Sequence, residues 1–216
     1  MDNIIAGFFK FQHESFPARV ELFKQLARHQ NPKTLFITCS DSRVIPELLT
    51  QSEPGDLFVI RNAGNLVPPY ALEPGGVSAT IEYAVAGIGV TDIVICGHSD
   101  CGAMTAIASG KSLEEMPAVR GWLQYADAAK AIAATQQYLS HADHLDALIH
   151  GNVLAQLRNL STHPSVAKSQ EIGLLTLHAW VYNIGPGSID AFDETQSQFI
   201  SLSEFPNVRA SSPRSH

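Results

Sequence analysis

Four short runs constrain this chain most: "TLFITC" at 34–39, "LFVIRN" at 57–62, "TDIVICGH" at 91–98 and "GLLTLHAWVY" at 173–182. Each is dense in β-branched and aromatic residues, with no clean alternation of polar and apolar positions. Strands of that kind are covered on both faces, which is the condition of a parallel sheet. Helical patterns lie between them. Val77, Ile81, Ala84, Val85 and Ile88 recur at a 3.6-residue period after the "PGG" turn. Residues near 119–138 and 143–160 are rich in Ala, Leu and Gln, and the cluster from Ser161 to Pro164 marks the next break. Parallel neighbours need crossover connections, so this alternation predicts an α/β fold with a mostly parallel central β-sheet flanked by helices.

The length of 216 residues suits one core, and the expectation is a single domain over 1–216. Hydrophobic residues make up 45% and charged residues 16%, a balance that favours a packed globular protein over disorder. The net charge of -7 repels phosphate backbones and anionic lipid, so nucleic acid and membrane surfaces are excluded as partners. The start "MDNIIAGFFKFQ" carries Asp2 where a signal peptide needs positive charge, and no run reaches the roughly 18 apolar residues of a membrane span. A cytoplasmic protein is expected. Its three cysteines, Cys39, Cys96 and Cys101, are an odd number in a reducing compartment, which leaves metal or nucleophile roles rather than a disulfide framework.

Residues 1–28 form a helical arm broken near Pro17, with Phe8, Phe9, Phe11, Phe16, Leu22 and Phe23 as a heavy apolar load. Two destinations are open for it, the chain's own sheet or another subunit. The expectation carried forward is an arm that packs on a partner subunit, in a homodimer or a dimer of dimers. The end of the chain, 208–216, is expected to be a flexible tail.

The chemistry gathers where strands end. Cys39 closes one predicted strand, and "GHSDCG" sets His98 and Cys101 just past another, the places where open α/β sheets build sites. Two thiolates and an imidazole suit tetrahedral Zn²⁺, and with three ligands evident a fourth position is left for water or a mobile carboxylate. Asp41 is near enough in sequence to reach that position, and Arg43 can draw it away through a bidentate pair. The alternative is that "SDSR" is a polar turn whose Asp and Arg simply pair with each other.

"CSDSR" followed by "GHSDCG" resembles the signature of the β-class carbonic anhydrases, and "EPGDLFVIRNAGNLVPPY" and "GGVSATIEYAV" extend the likeness over roughly residues 1–185. Within that family the chain looks closest to bacterial enzymes found alongside cyanase. The resemblance implies one Zn²⁺ per subunit on Cys39, His98 and Cys101, with Asp41 and Arg43 as the catalytic dyad. It implies reversible hydration of CO₂ to bicarbonate and a proton through a zinc-bound hydroxide. Zn²⁺ lowers the pKa of bound water from about 15.7 to roughly 7, a value that belongs to carbonic anhydrases with three histidine ligands. Two thiolates should make the ion a weaker acidifier, and Asp41 would compensate by orienting the attacking oxygen.

The resemblance also implies a CO₂ pocket formed partly by a neighbouring subunit, from Gln30, Phe58, Ala63, Tyr83 and Gly102, where Ala63 replaces a larger valine. Another branch of the family binds regulatory bicarbonate through Trp, Arg and Tyr. Arg61 and Tyr182 match that pattern but Phe36 stands in the tryptophan position, so no bicarbonate-driven closure by Asp41 is expected. Two rival readings keep the same metal: activity on a sulfur analogue of CO₂, or a structural or sensory zinc protein with Asp41 as permanent fourth ligand. Cys96 reads as a buried hydrophobe, His141, His144 and His150 as a solvated helix face, and His178 as a satisfied strand histidine.

Overall fold

The apolar runs become strands of one six-stranded sheet in the computed structural model, which describes residues 1–134, 138 and 140–204. The tail at 208–216 lies outside the described residues. The strands are β1 (Thr34–Cys39), β2 (Leu57–Asn62), β3 (Asp92–His98), β4 (Thr176–Asn183), β5 (Ser188–Asp193) and β6 (Gln198–Ser201), in the order β2-β1-β3-β4-β5-β6. The first four are parallel neighbours, while β4, β5 and β6 run antiparallel. The sheet is therefore mixed. The edge pair β5 and β6 escaped the sequence reading because "SIDAFD" and "QFIS" are short, half-buried and partly polar, so they lack the apolar density of the inner strands.

The helices are α1 (Asp2–Lys10), α2 (Val20–Leu26), α3 (Pro46–Thr50), α4 (Gly76–Glu82), α5 (Gly102–Ala108), α6 (Pro117–Leu123), α7 (Asp127–Ala133), α8 (His141–Leu160) and α9 (Pro164–Glu171). The stripe from Val77 to Ile88 is helical throughout, with a wider π-type turn over Tyr83–Ile88 that ends at Gly89 in the left-handed region. Around 161–164 the chain breaks and restarts, with His163 at the N-cap of α9 and Pro164 in its first turn, where a missing N–H costs nothing. Among the described residues no helix is long and apolar enough to cross a membrane.

Alternation along the inner strands splits the core. Leu35, Ile37, Ile93 and Ile95 join Ile81, Ile149 and Val153 in the larger cluster, while Phe36, Val94 and Cys96 face the other way against Trp180 and Tyr182. At Gly97 an added Cβ would stand 2.8 Å from Val153 of α8, so glycine here is what lets that helix lie against the end of β3.

The first helix of the arm does not cover the chain's own sheet. No residue of α1 is buried, and Ile4, Ile5, Phe8 and Phe9 are each about half exposed or more. Its rings pack among themselves, Phe11 meeting Phe23 edge-on at 5.9 Å and Phe16 stacking on Phe23 at 5.3 Å.

Candidate metal centre

Cys39 is the last residue of β1, His98 the last of β3, and Cys101 the N-cap of α5. Register explains the meeting, because β1 and β3 are parallel neighbours whose C-terminal ends are level, Thr38 facing Cys96. The ligand atoms of Cys39, His98 and Cys101 all lie within 4.8 Å of one another, and all three residues are buried, so this group could hold a metal ion. His98 is fully buried. Its Nδ1 lies 2.9 Å from the Ser99 carbonyl, which fixes the proton there and turns the Nε2 lone pair inward, where it has no hydrogen-bond partner. An orphaned buried nitrogen is costly unless something binds it. Two sulfurs and one imidazole nitrogen are the donor set that zinc prefers, and three protein donors leave one place in a tetrahedron.

The sulfurs are unequal. A hydrogen bond from Cys101 pushes the Cys39 thiol down against the effect of its burial, helped by His98 and by the Gly64 N–H at 3.4 Å. The same pairing pushes Cys101 up, so the two sulfurs share one proton that a cation would displace.

Asp41 and Arg43 form the bidentate pair expected. Arg43 Nε donates to Asp41 Oδ1 at 3.0 Å and Nη2 to Oδ2 at 2.8 Å, and the Arg43 backbone N–H adds a third bond at 2.9 Å. The guanidinium holds the Asp41 carboxyl well below the usual carboxylate range. Asp41 Oδ2 lies 3.8 Å from His98 Nε2, so the carboxylate stands at the edge of the donor group.

Several parts of the centre were not read from the sequence. Arg43 Nη1 also donates to Asp100 Oδ2 at 3.1 Å, and Arg61 donates to the carbonyls of Cys39 at 3.1 Å and Asp41 at 2.7 Å. Asn62 closes the loop after β2 with both its side-chain atoms on Leu66. A polar row on α8 then grips that loop: Asn152 Nδ2 donates to Gly64 O at 3.0 Å, Gln156 Oε1 accepts from Val67 N at 2.8 Å, and Asn159 Nδ2 donates to Val67 O at 2.9 Å. A signal existed for these three, since positions 152, 156 and 159 fall on one helical face.

The remaining predicted residues divide between two ends of the sheet. Gly102 opens α5 directly after Cys101, and Ala63 precedes Gly64, its carbonyl accepting from Trp122 Nε1 at 2.8 Å. Gln30 precedes β1, and Phe58 pairs with Leu35 near the start of that strand, whereas Cys39 is at its finish. The six residues of β1 span roughly 16 Å at about 3.3 Å per residue. Phe58 and exposed Tyr83 meet with ring centroids 6.0 Å apart. One protomer thus brings together Cys39, Asp41, Arg43, His98 and Cys101 but leaves Gln30, Phe58 and Tyr83 at the opposite edge. Phe36 is buried beside Trp180 and Tyr182. Cys96 is also buried, its thiol pushed up to about 12 by desolvation, and lies outside the donor group. His178 pairs with Asp92 at 2.9 Å, and His150 Nδ1 donates to the Asp146 carbonyl while the ring meets Phe199 edge-on.

The family model described as carbonic anhydrase matches residues 34–189. A carbonic anhydrase of Pseudomonas aeruginosa is 61% identical over 97% of this chain and 96% of its own length. Among solved structures, the β-carbonic anhydrase CcaA superposes with a TM-score of 0.90 at 42% identity, covering 93% of this chain and 91% of that one. A tetrameric β-carbonic anhydrase of Sordaria macrospora gives 0.71 at 32% identity, covering 88% and 92%. Likeness that spans nearly the whole sequence and includes the strand ends carrying the buried donors admits one conclusion: the chain belongs to the β-class carbonic anhydrases.

Proposed function

We propose that this protein is a zinc enzyme that hydrates CO₂ reversibly to bicarbonate and a proton, with Cys39, His98 and Cys101 holding the ion. The observation that carries the proposal is the fully buried His98, whose unpartnered Nε2 faces two buried sulfurs. Zn²⁺ bound there would supply Lewis acidity that makes water acidic near neutral pH.

The chain's own residues do the rest. Ser99 O fixes the His98 tautomer, and Arg61 holds the backbone carbonyls on either side of the turn that carries Cys39 and Asp41. Asp41 is kept ionised by Arg43 and can therefore only accept hydrogen bonds, which suits it to take a bond from the attacking water and aim that oxygen at CO₂. That engagement with Arg43 favours a catalytic site over a structural one in which Asp41 would be a permanent ligand.

Gln30 and Phe58 lie level with the start of β1, a strand's length from Cys39, and Tyr83 meets Phe58, so all three are assigned to the pocket of a partner, beside that subunit's Ala63 and Gly102. The assembly we propose is a homodimer or a dimer of such dimers, consistent with the tetrameric relative and with the exposed apolar arm. Each chain would be one domain, working in a reducing cytoplasm that suits its three free cysteines. Stopped-flow CO₂ hydration before and after chelation tests the function. Activity should disappear with the metal and return with one equivalent of Zn²⁺ per subunit, while full activity of metal-free protein would overturn the proposal.

A further inference from the structure

Arg43 has a second carboxylate, and nothing in the dyad requires it. Asp41 uses Nε and one proton of Nη2. The other edge of the guanidinium is taken by Asp100 alone, whose Oδ2 accepts from Nη1 at 3.1 Å and whose backbone carbonyl accepts from Nη2 at 3.1 Å. Asp100 makes both contacts from the left-handed region, at a φ of 56°, between His98 and Cys101. A residue with a Cβ adopts that conformation at some cost, although aspartate tolerates it better than most. The contact adds little to stability, because the side chains of Asp100 and Arg43 are 74% and 43% exposed and an ion pair that open to water is nearly neutral in free energy. What it does supply is orientation. With acceptors along both edges, the guanidinium plane is biased toward the orientation that meets Asp41, and the bias is small because the pair stands open to water.

We propose that Asp100 is a positioning residue that locks Arg43 from its far edge and thereby keeps Asp41 on Arg43 and off the metal. Asp41 is poised for the alternative, with Oδ2 only 3.8 Å from His98 Nε2. Without the lock, Arg43 turns toward solvent and the carboxylate competes for the fourth place among the donors. The inference rests on the metal reading of Cys39, His98 and Cys101.

Cobalt(II) in place of zinc tests this without measuring turnover, because the visible bands of the tetrahedral ion report which ligand holds its fourth position. Thiocyanate is the probe anion. Asp100→Gly relieves the left-handed backbone and removes the carboxylate, whereas Asp100→Asn retains both the conformation and an acceptor. Wild-type protein and Asp100→Asn should show a thiocyanate-induced band shift, and Asp100→Gly should bind cobalt but lose the shift. Adding Asp41→Asn to Asp100→Gly should restore it, which identifies Asp41 as the occupant.

An Asp100→Gly protein that responds as wild type does would overturn the proposal. So would a wild-type protein that never responds, since Asp41 would then hold the position regardless. Failure of both single Asp100 variants to bind cobalt would assign Asp100 to folding of the turn and likewise overturn it. Wild-type protein that takes up no cobalt would instead defeat the metal reading itself.

Discussion

His98 owes its readiness to bind a cation to a single proton placement, fixed at Nδ1 by the Ser99 carbonyl, and to complete burial of the nitrogen left over. Removing one sulfur from such a group leaves the other donors unable to close a tetrahedron. Cys39→Ser and Cys101→Ser should each purify with little zinc and with almost no CO₂ hydration, as read by elemental analysis and stopped flow. Asp41→Asn is a different case, because the donors remain. It should keep its zinc and lose activity by about 10–100-fold, the range typical of groups that orient a metal site from outside. Arg61 acts one step further back, through the carbonyls of Cys39 and Asp41. Its place in the regulatory bicarbonate pattern is filled by this structural work, and Phe36, the residue in the tryptophan position, is buried against Trp180. Bicarbonate should therefore inhibit hyperbolically near neutral pH, and a steeply sigmoidal curve would show a closure mechanism after all.

At the scale of elements, α8 serves the centre through backbone. Its polar row holds the 62–67 loop, and that loop presents the Gly64 N–H to the Cys39 sulfur. Gln156→Leu would leave the buried Val67 N–H and the Tyr125 carbonyl without partners, and should cost about 1–3 kcal/mol in urea unfolding. A second tie joins α4 to the cap of α9. His163, 1% exposed, places Nε2 at 3.0 Å from Ser78 Oγ, and burial lowers its pKa from the ordinary 6.5. Below that value the unfolded chain takes up a proton while the folded chain does not, so the contribution is full above about pH 6.5 and is lost as pH falls toward the folded pKa. His163→Gln should flatten the fall in thermal midpoint between about pH 8 and pH 5 relative to wild type.

On the proposed assembly, the whole molecule is incomplete as one subunit. Its apolar arm is exposed, and three of the expected pocket residues stand at the edge of the sheet opposite the donors. An exposed apolar surface of this kind marks an interaction site. Deleting residues 1–28 should give a monomer by light scattering whose zinc content is retained and whose activity falls by at least about tenfold, because a positioned pocket wall is lost with the partner. A fully active monomer would return those residues to decoration of the surface.

What the sequence settled was local. Apolar runs on both faces specify parallel strands, and Cys39, His98 and Cys101 at or just past strand ends mark a candidate donor group with Asp41 and Arg43 beside it. Tertiary structure decided everything that depends on pairing between distant segments. It placed the half-polar edge strands β5 and β6, gave Arg43 its second carboxylate in Asp100, turned Asn152, Gln156 and Asn159 toward a loop some ninety residues earlier, and set Gln30 and Phe58 a strand's length from Cys39. Periodicity reports which face of an element is buried, but which partner meets that face is fixed only when the sheet closes its register.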